Sequence, residues 1–175
     1  MHNFDDLVFR GTVFTLNALN DAYSKVIELL QTSGSTILVK NLQMLQLQKV
    51  ILATGMFSLF ESILQQGLSC NNGYEEAKKI LILKKNIELH DRFNDFICAI
   101  NVLKHGKGRS YDALVAKSKS LPFRIKLPNE YFFYEGNVSE VSTLIEVDDK
   151  FVLDCAEIIE LVTKVIKEEY PNYYF

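Results

Sequence analysis

Residues 87–111 read IELHDRFNDFICAINVLKHGKGRSY, and this stretch decides the architecture because it finishes one helix and begins another within a few residues. Leu89, Phe93, Phe96, Ile97, Ile100 and Leu103 recur at intervals of three and four, the spacing of one face of a 3.6-residue helix. On the opposite side Asp91, Asn94, Cys98, Asn101 and His105 share a strip roughly 80° wide. The helix is expected to stop after Lys104-His105 at Gly106, because cations suit the negative end of the helix dipole and glycine takes a left-handed cap most easily. Lys107 and Arg109 then lead into Ser110, the expected N-cap of a second helix with Asp112 in its first turn. Such a junction gathers free backbone N–H groups and cations at one point, which suits an anion such as a phosphate.

Outward from this segment the chain reads as mainly α. Apolar positions from about Asp5 to Gln31, among them Leu7, Val13, Phe14, Leu16 and Tyr23, repeat at helical spacing until Ser33-Gly34-Ser35. Leu42 to Gln66 is apolar around most of its circumference, as a central helix surrounded by others would be, with Thr54, Ser58, Glu61 and Gln65 as a narrow polar stripe. Cys70-Asn71-Asn72-Gly73 is a turn, and Tyr74 to Lys85 reads as a short helix with Ala77, Ile80, Leu81 and Leu83 inward. Tyr111 to Lys117 is a further short helical piece. Pro122 and Pro128 then interrupt, and Phe123 to Leu127, Tyr131 to Tyr134 and Thr143 to Val147 carry β-formers, which predicts a small antiparallel hairpin or irregular flap over about 120–147. Asp148 caps a last helix whose apolar stripe runs from Phe151 to Ile166 and which ends before Pro171. The expectation is one domain over 1–175, a bundle of four to five helices with the flap before the C-terminal helix.

Composition bounds the function. With 175 residues and 48% apolar side chains the chain can bury one sizeable core. Its net charge of -3 means that any nucleic-acid contact rests on a local basic patch and not on the field of the whole molecule. Cys70, Cys98 and Cys155 form no CxxC pair, and with no secretory apolar segment they predict reduced thiols in a cytoplasm. Polar residues interrupt Val50 to Ile63 short of the roughly 18 residues of a membrane span, so no membrane is expected.

Several chemistries fail on spacing. Gly106-Lys107-Gly108 lacks the preceding strand and the Gly-Lys-Ser/Thr ending of a phosphate-binding loop. Cys98 and His105 stand seven residues apart, about 10.5 Å of helical rise, too far for a thiol and its base. His2, His90 and His105 have no ligand spacing, so neither a metal nor another cofactor is expected. What remains is His105 as a general acid or base, with Lys104, Lys107 and Arg109 beside it to neutralise a phosphate. The plain alternative is a helix-end histidine that compensates the dipole. Glu61 either belongs to a solvent stripe or faces the His105 helix across a groove.

A helical bundle carrying Phe57-Ser58-Leu59-Phe60-Glu61-Ser62-Ile63-Leu64 in its second helix and Ile100-Asn101-Val102-Leu103-Lys104-His105-Gly106 at the end of a later one resembles the HEPN superfamily (higher eukaryotes and prokaryotes nucleotide-binding domains). The resemblance implies a cytoplasmic, metal-independent endoribonuclease of a toxin or defence system. It would work as a homodimer whose paired Arg-(four to six residues)-His motifs line one cleft, and it could have a cognate antitoxin or other partner protein. Carried over, His105 is the catalytic histidine and Asn101 the polar residue of the motif. The motif arginine would fall near positions 98 to 100, which here are Cys98, Ala99 and Ile100. Arg109 then becomes the candidate for stabilising the scissile phosphate, with Lys104, Lys107, Ser110 and Tyr111 as substrate-binding residues. Arg92 lies about 20 Å back along the helix and could join them only from a second chain. The alternative reading of the missing arginine is a degenerate module that binds RNA, a nucleotide or a partner protein without cutting.

Overall fold

The computed structural model describes residues 4–170; His2 and Pro171 lie outside them. Six helices follow in order: α1 (Phe4–Leu30), α2 (Thr36–Gly67), α3 (Gly73–Leu83), α4 (Ile87–His105), α5 (Arg109–Ala116) and α6 (Asp149–Glu169). The mainly helical class stands, and the short α5 raises the number of helices above the four to five expected. α2 starts six residues before the expected Leu42, since Ser35 occupies the N-cap position and Ile37, Leu38 and Val39 already continue the helix. α3 is capped by Asn72, whose side chain accepts a hydrogen bond from Glu75 N at 3.1 Å, and α6 by Asp148, which accepts from Phe151 N at 2.7 Å.

α6 holds the centre, packed against α1, α2, α3 and α4. Nine of its residues are buried, from Phe151 to Ile166, and each large apolar side chain so buried stabilises by about 1.5–3 kcal/mol before entropy is charged against it. Two aromatic clusters fill the remaining space. Phe57, Phe60, Tyr74 and Phe93 join α2, α3 and α4, and Phe96, Phe123 and Phe151 join α4, the flap and α6 with centroids 5.1–5.3 Å apart. α3 approaches α2 closely at Gly73, where a Cβ would meet the Leu64 Cβ at 2.6 Å and the Glu61 carbonyl at 2.8 Å. The α2 backbone at Glu61 thus meets the start of α3, close to Tyr74, whose hydroxyl donates to Phe57 O at 2.5 Å.

Some expectations are corrected. Leu83 is not inward; it is 79% exposed, while Ala77, Ile80 and Leu81 are buried. α2 contacts four helices yet is not surrounded, since Met44, Leu47, Ile51 and Leu59 remain exposed. It is also long and apolar enough to cross a membrane by length and composition, and a third of that apolar window is buried against the other helices. No hairpin forms among the described residues. Pro122 and Pro128 leave the segment 117–148 irregular, and its β-formers make one antiparallel bridge, Ile125 to Ile145, with Lys126 N donating to Leu144 O at 2.8 Å and Glu146 N to Arg124 O at 3.0 Å.

The flap is ordered by side chains in place of a ladder. Lys126 and Glu140, 6% and 10% exposed in their side chains, pair at 2.5 Å. Glu140 also accepts Phe133 N at 3.0 Å, and Lys126 Nζ lies 4.4 Å from the Phe133 ring centroid. Desolvation pushes the Glu140 carboxyl up. The Lys126 hydrogen bond and the N–H groups of Phe133 and Tyr134 outweigh it, so its pKa lies below the ordinary glutamate value. Gln43 and Gln46 of α2 donate to Val138 O and Val147 O at 2.9 and 2.6 Å and hold the flap to the bundle.

Candidate functional site at the end of α4

α4 presents Asn101 and His105 one turn apart on the same face. The helix closes with Gly106 N donating to Val102 O at 2.8 Å. Gly106 then takes φ +75° and ψ -143°, so the expected positive φ is present in an extended, mirror-β form and not in the left-handed helical cap. A side chain there would be strained, and the glycine lets the chain turn straight into α5. α5 begins at Arg109 with Gly108 at the N-cap position, which corrects the expectation for Ser110. Ser110 lies inside the first turn, close to the Cys98 thiol. The first intrahelical bond to Gly108 is made by Asp112 N at 3.0 Å, so the N–H groups of Arg109, Ser110 and Tyr111 point out of the helix start without intrahelical partners.

Asn101, His105 and residues 106–110 line an open depression of about 270 Å³. His105, Lys104, Lys107 and Arg109 are exposed around it, with Lys104 about 100° round α4 from His105. Their charge is unneutralised. Among the described residues, Lys104, Lys107 and Arg109 form no salt bridge, nor do the scattered Lys25, Lys40, Lys85, Lys119 and Lys164, whereas the other eleven Lys and Arg side chains have carboxylate partners. Three unpaired cations within six residues, beside three N–H groups without intrahelical partners, make an arrangement that suits an oxyanion.

The polar strip of α4 does not face solvent throughout. Asn94 accepts from Lys78 of α3 at 3.4 Å, the neighbouring Asp95 pairs with Lys117 beyond α5, and Cys98 is half-buried near Ser110, whereas His105 is exposed. Burial pushes the Cys98 thiol up, with Ser110 and Lys117 pulling the other way, so it is not an activated nucleophile. Arg92 is absent from the depression: it donates to Glu157 at 2.5 Å and lies 3.6 Å from Asp154, both on α6. Ala99 and Ile100 are 0% and 3% exposed, so neither position opens toward the ligand side where the resembling family carries its arginine. No group of three or more His, Cys, Asp or Glu side chains is placed to hold a metal among the described residues.

Tyr111 is 4% exposed. Lys107 Nζ lies 5.8 Å from its ring centroid on the turn side, and its hydroxyl donates to Lys126 O at 2.8 Å at the root of the flap. It is a joint between the basic turn and the flap, a role its place in the sequence does not signal. A narrower cleft of about 160 Å³ lies between α1, α2 and the flap. Its polar groups satisfy one another, Lys49 with Asp149 at 2.6 Å, Gln46 with Val147 O and Thr143 with Ile145 O, so it offers less to a charged ligand than the helix end does.

Comparison with protein-family models, curated proteins and solved structures gives no match for this chain.

Proposed function

We propose that this chain is an HEPN-like, RNA-directed protein that grips a phosphodiester at the end of α4 and, as a homodimer, cuts RNA without a metal in a toxin or defence setting. The observation that carries the reading is the cluster Lys104, Lys107 and Arg109, left without carboxylate partners around an exposed imidazole. Arg109, Lys107 and the first N–H groups of α5 hold the phosphate oxygens, and Asn101 donates its amide from one turn back. His105 removes the proton of the ribose 2′-hydroxyl. That oxygen attacks the adjacent phosphorus, and the 5′-oxygen leaves with a proton from the second copy's His105. The products are a 2′,3′-cyclic phosphate and a 5′-hydroxyl. Each chain brings a single His105 to the site, which is why two copies are required.

A second reading, a module that binds RNA, a nucleotide or a partner protein without cutting, is favoured by the burial of Ala99 and Ile100 where a motif arginine would stand. Incubating the protein with single-stranded RNA in EDTA separates the two. Cleavage to cyclic-phosphate ends, reduced about 10²-fold or more by His105→Ala, supports the enzyme. RNA that stays intact but is bound through Lys107 and Arg109 supports the module. Gel filtration with light scattering reports the dimer.

A further inference from the structure

Resting on the RNA-directed reading of the α4 end, we infer that the flap is a base-stacking platform that makes the site selective for single-stranded RNA. Tyr131, Phe132 and Tyr134 are 86%, 51% and 57% exposed, while Phe133 between them is turned inward over Lys126. Three solvent-facing aromatic side chains in four residues are not there to build this core. The Arg124 guanidinium lies 5.2 Å from the Tyr134 ring centroid and is 41% exposed, a planar cation layered on an aromatic face.

Their place relative to the basic turn gives the occupant. Tyr111 reaches from Lys107 to the Lys126 carbonyl, and the chain then reverses at once, Glu130 N donating to Leu127 O at 3.0 Å, which returns Tyr131 beside that point. Lys107 thus stands at one end of the Tyr111 joint, and the turn that leads into the exposed rings stands at the other. A strand whose phosphate rests at Lys107 and Arg109 passes its next bases over Tyr131 and Phe132. Stacking of that kind needs unpaired bases, since a duplex keeps its base faces covered. Glu130 does not oppose the strand, because its carboxylate accepts Leu127 N at 2.9 Å and lies 3.9 Å from Arg124.

The test is fluorescence anisotropy with a labelled 2′-O-methyl 12-mer, which cannot be cut because its 2′-oxygen is blocked, single-stranded and as a duplex, across a salt series. The single strand is expected to bind at least tenfold tighter than the duplex. Tyr131→Ala and Phe132→Ala each lose about tenfold for the single strand, leave the salt slope and duplex affinity unchanged, and are rescued by Tyr131→Phe and Phe132→Tyr. Lys107→Gln with Arg109→Gln lowers the salt slope by about 1.4. Single-strand binding that follows the cation pair but ignores both rings overturns the platform and leaves the RNA reading standing. No binding of either form by the wild-type protein overturns both.

Discussion

Glu140→Gln removes one charge and almost no volume from the flap. The amide can still accept Phe133 N, which Glu140 accepts at 3.0 Å, but Lys126 Nζ, paired at 2.5 Å, then stays buried without a counter-charge. Leaving one partner of a deep ion pair uncompensated costs about 3–5 kcal/mol. This pair lies beneath a loop, and the Phe133 ring 4.4 Å from Nζ retains part of the stabilisation, which lowers the expected loss to about 2–3 kcal/mol. For a chain of this size that is a fall in Tm of roughly 5–10 °C. The sign of the pH dependence is fixed by the direction of the shift. A carboxyl whose folded pKa is depressed contributes stability above its unfolded value and loses it as pH falls through the lower folded value. Wild-type stability therefore declines on the acid side of the ordinary glutamate range, and Glu140→Gln flattens that limb. Thermal melts from neutral pH to about pH 3 measure both effects. A Tm within 1–2 °C of wild type at neutral pH, with an unchanged acid limb, would refute the staple.

Two further outcomes are expected from packing. Gly73→Ala places a methyl 2.6 Å from the Leu64 Cβ and 2.8 Å from the Glu61 carbonyl, and the overpacking outweighs the helix-propensity gain to leave a net loss of about 1–2 kcal/mol by urea denaturation. Thr163 is 0% exposed and its hydroxyl has no hydrogen-bond partner, so Thr163→Val, which keeps the shape and removes the orphaned oxygen, raises stability by about 1 kcal/mol, or roughly 2–4 °C in Tm.

The helices were legible because their signals are local. The three-and-four spacing of Leu89, Phe93, Phe96 and Ile100 and the cap at Asp148 specify α4 and α6 without knowledge of what surrounds them. What failed is non-local. Leu83 follows Ile80 at the helical spacing of three, yet as the last residue of α3 it stands 79% exposed. The β-formers of 120–147 allow a hairpin or an irregular flap, and what decides for the flap is a buried ion pair joining residues 14 positions apart, a pairing that leaves no periodic trace. At the site, the adjacency of His105 to three cations was plain, since helix end and turn are contiguous. That Arg92 of α4 pairs with α6 and that Tyr111 is a joint depended on partners 65 and 15 residues away.

The distribution of ion pairs gives the molecule a polarity that its net charge of -3 conceals. Among the described residues eleven cations are paired with carboxylates where they stand, so the positive α4–α5 corner sits against a background of surplus acid. A polyanion diffusing nearby feels a torque before it feels a contact, and the protein arrives already oriented with that corner leading.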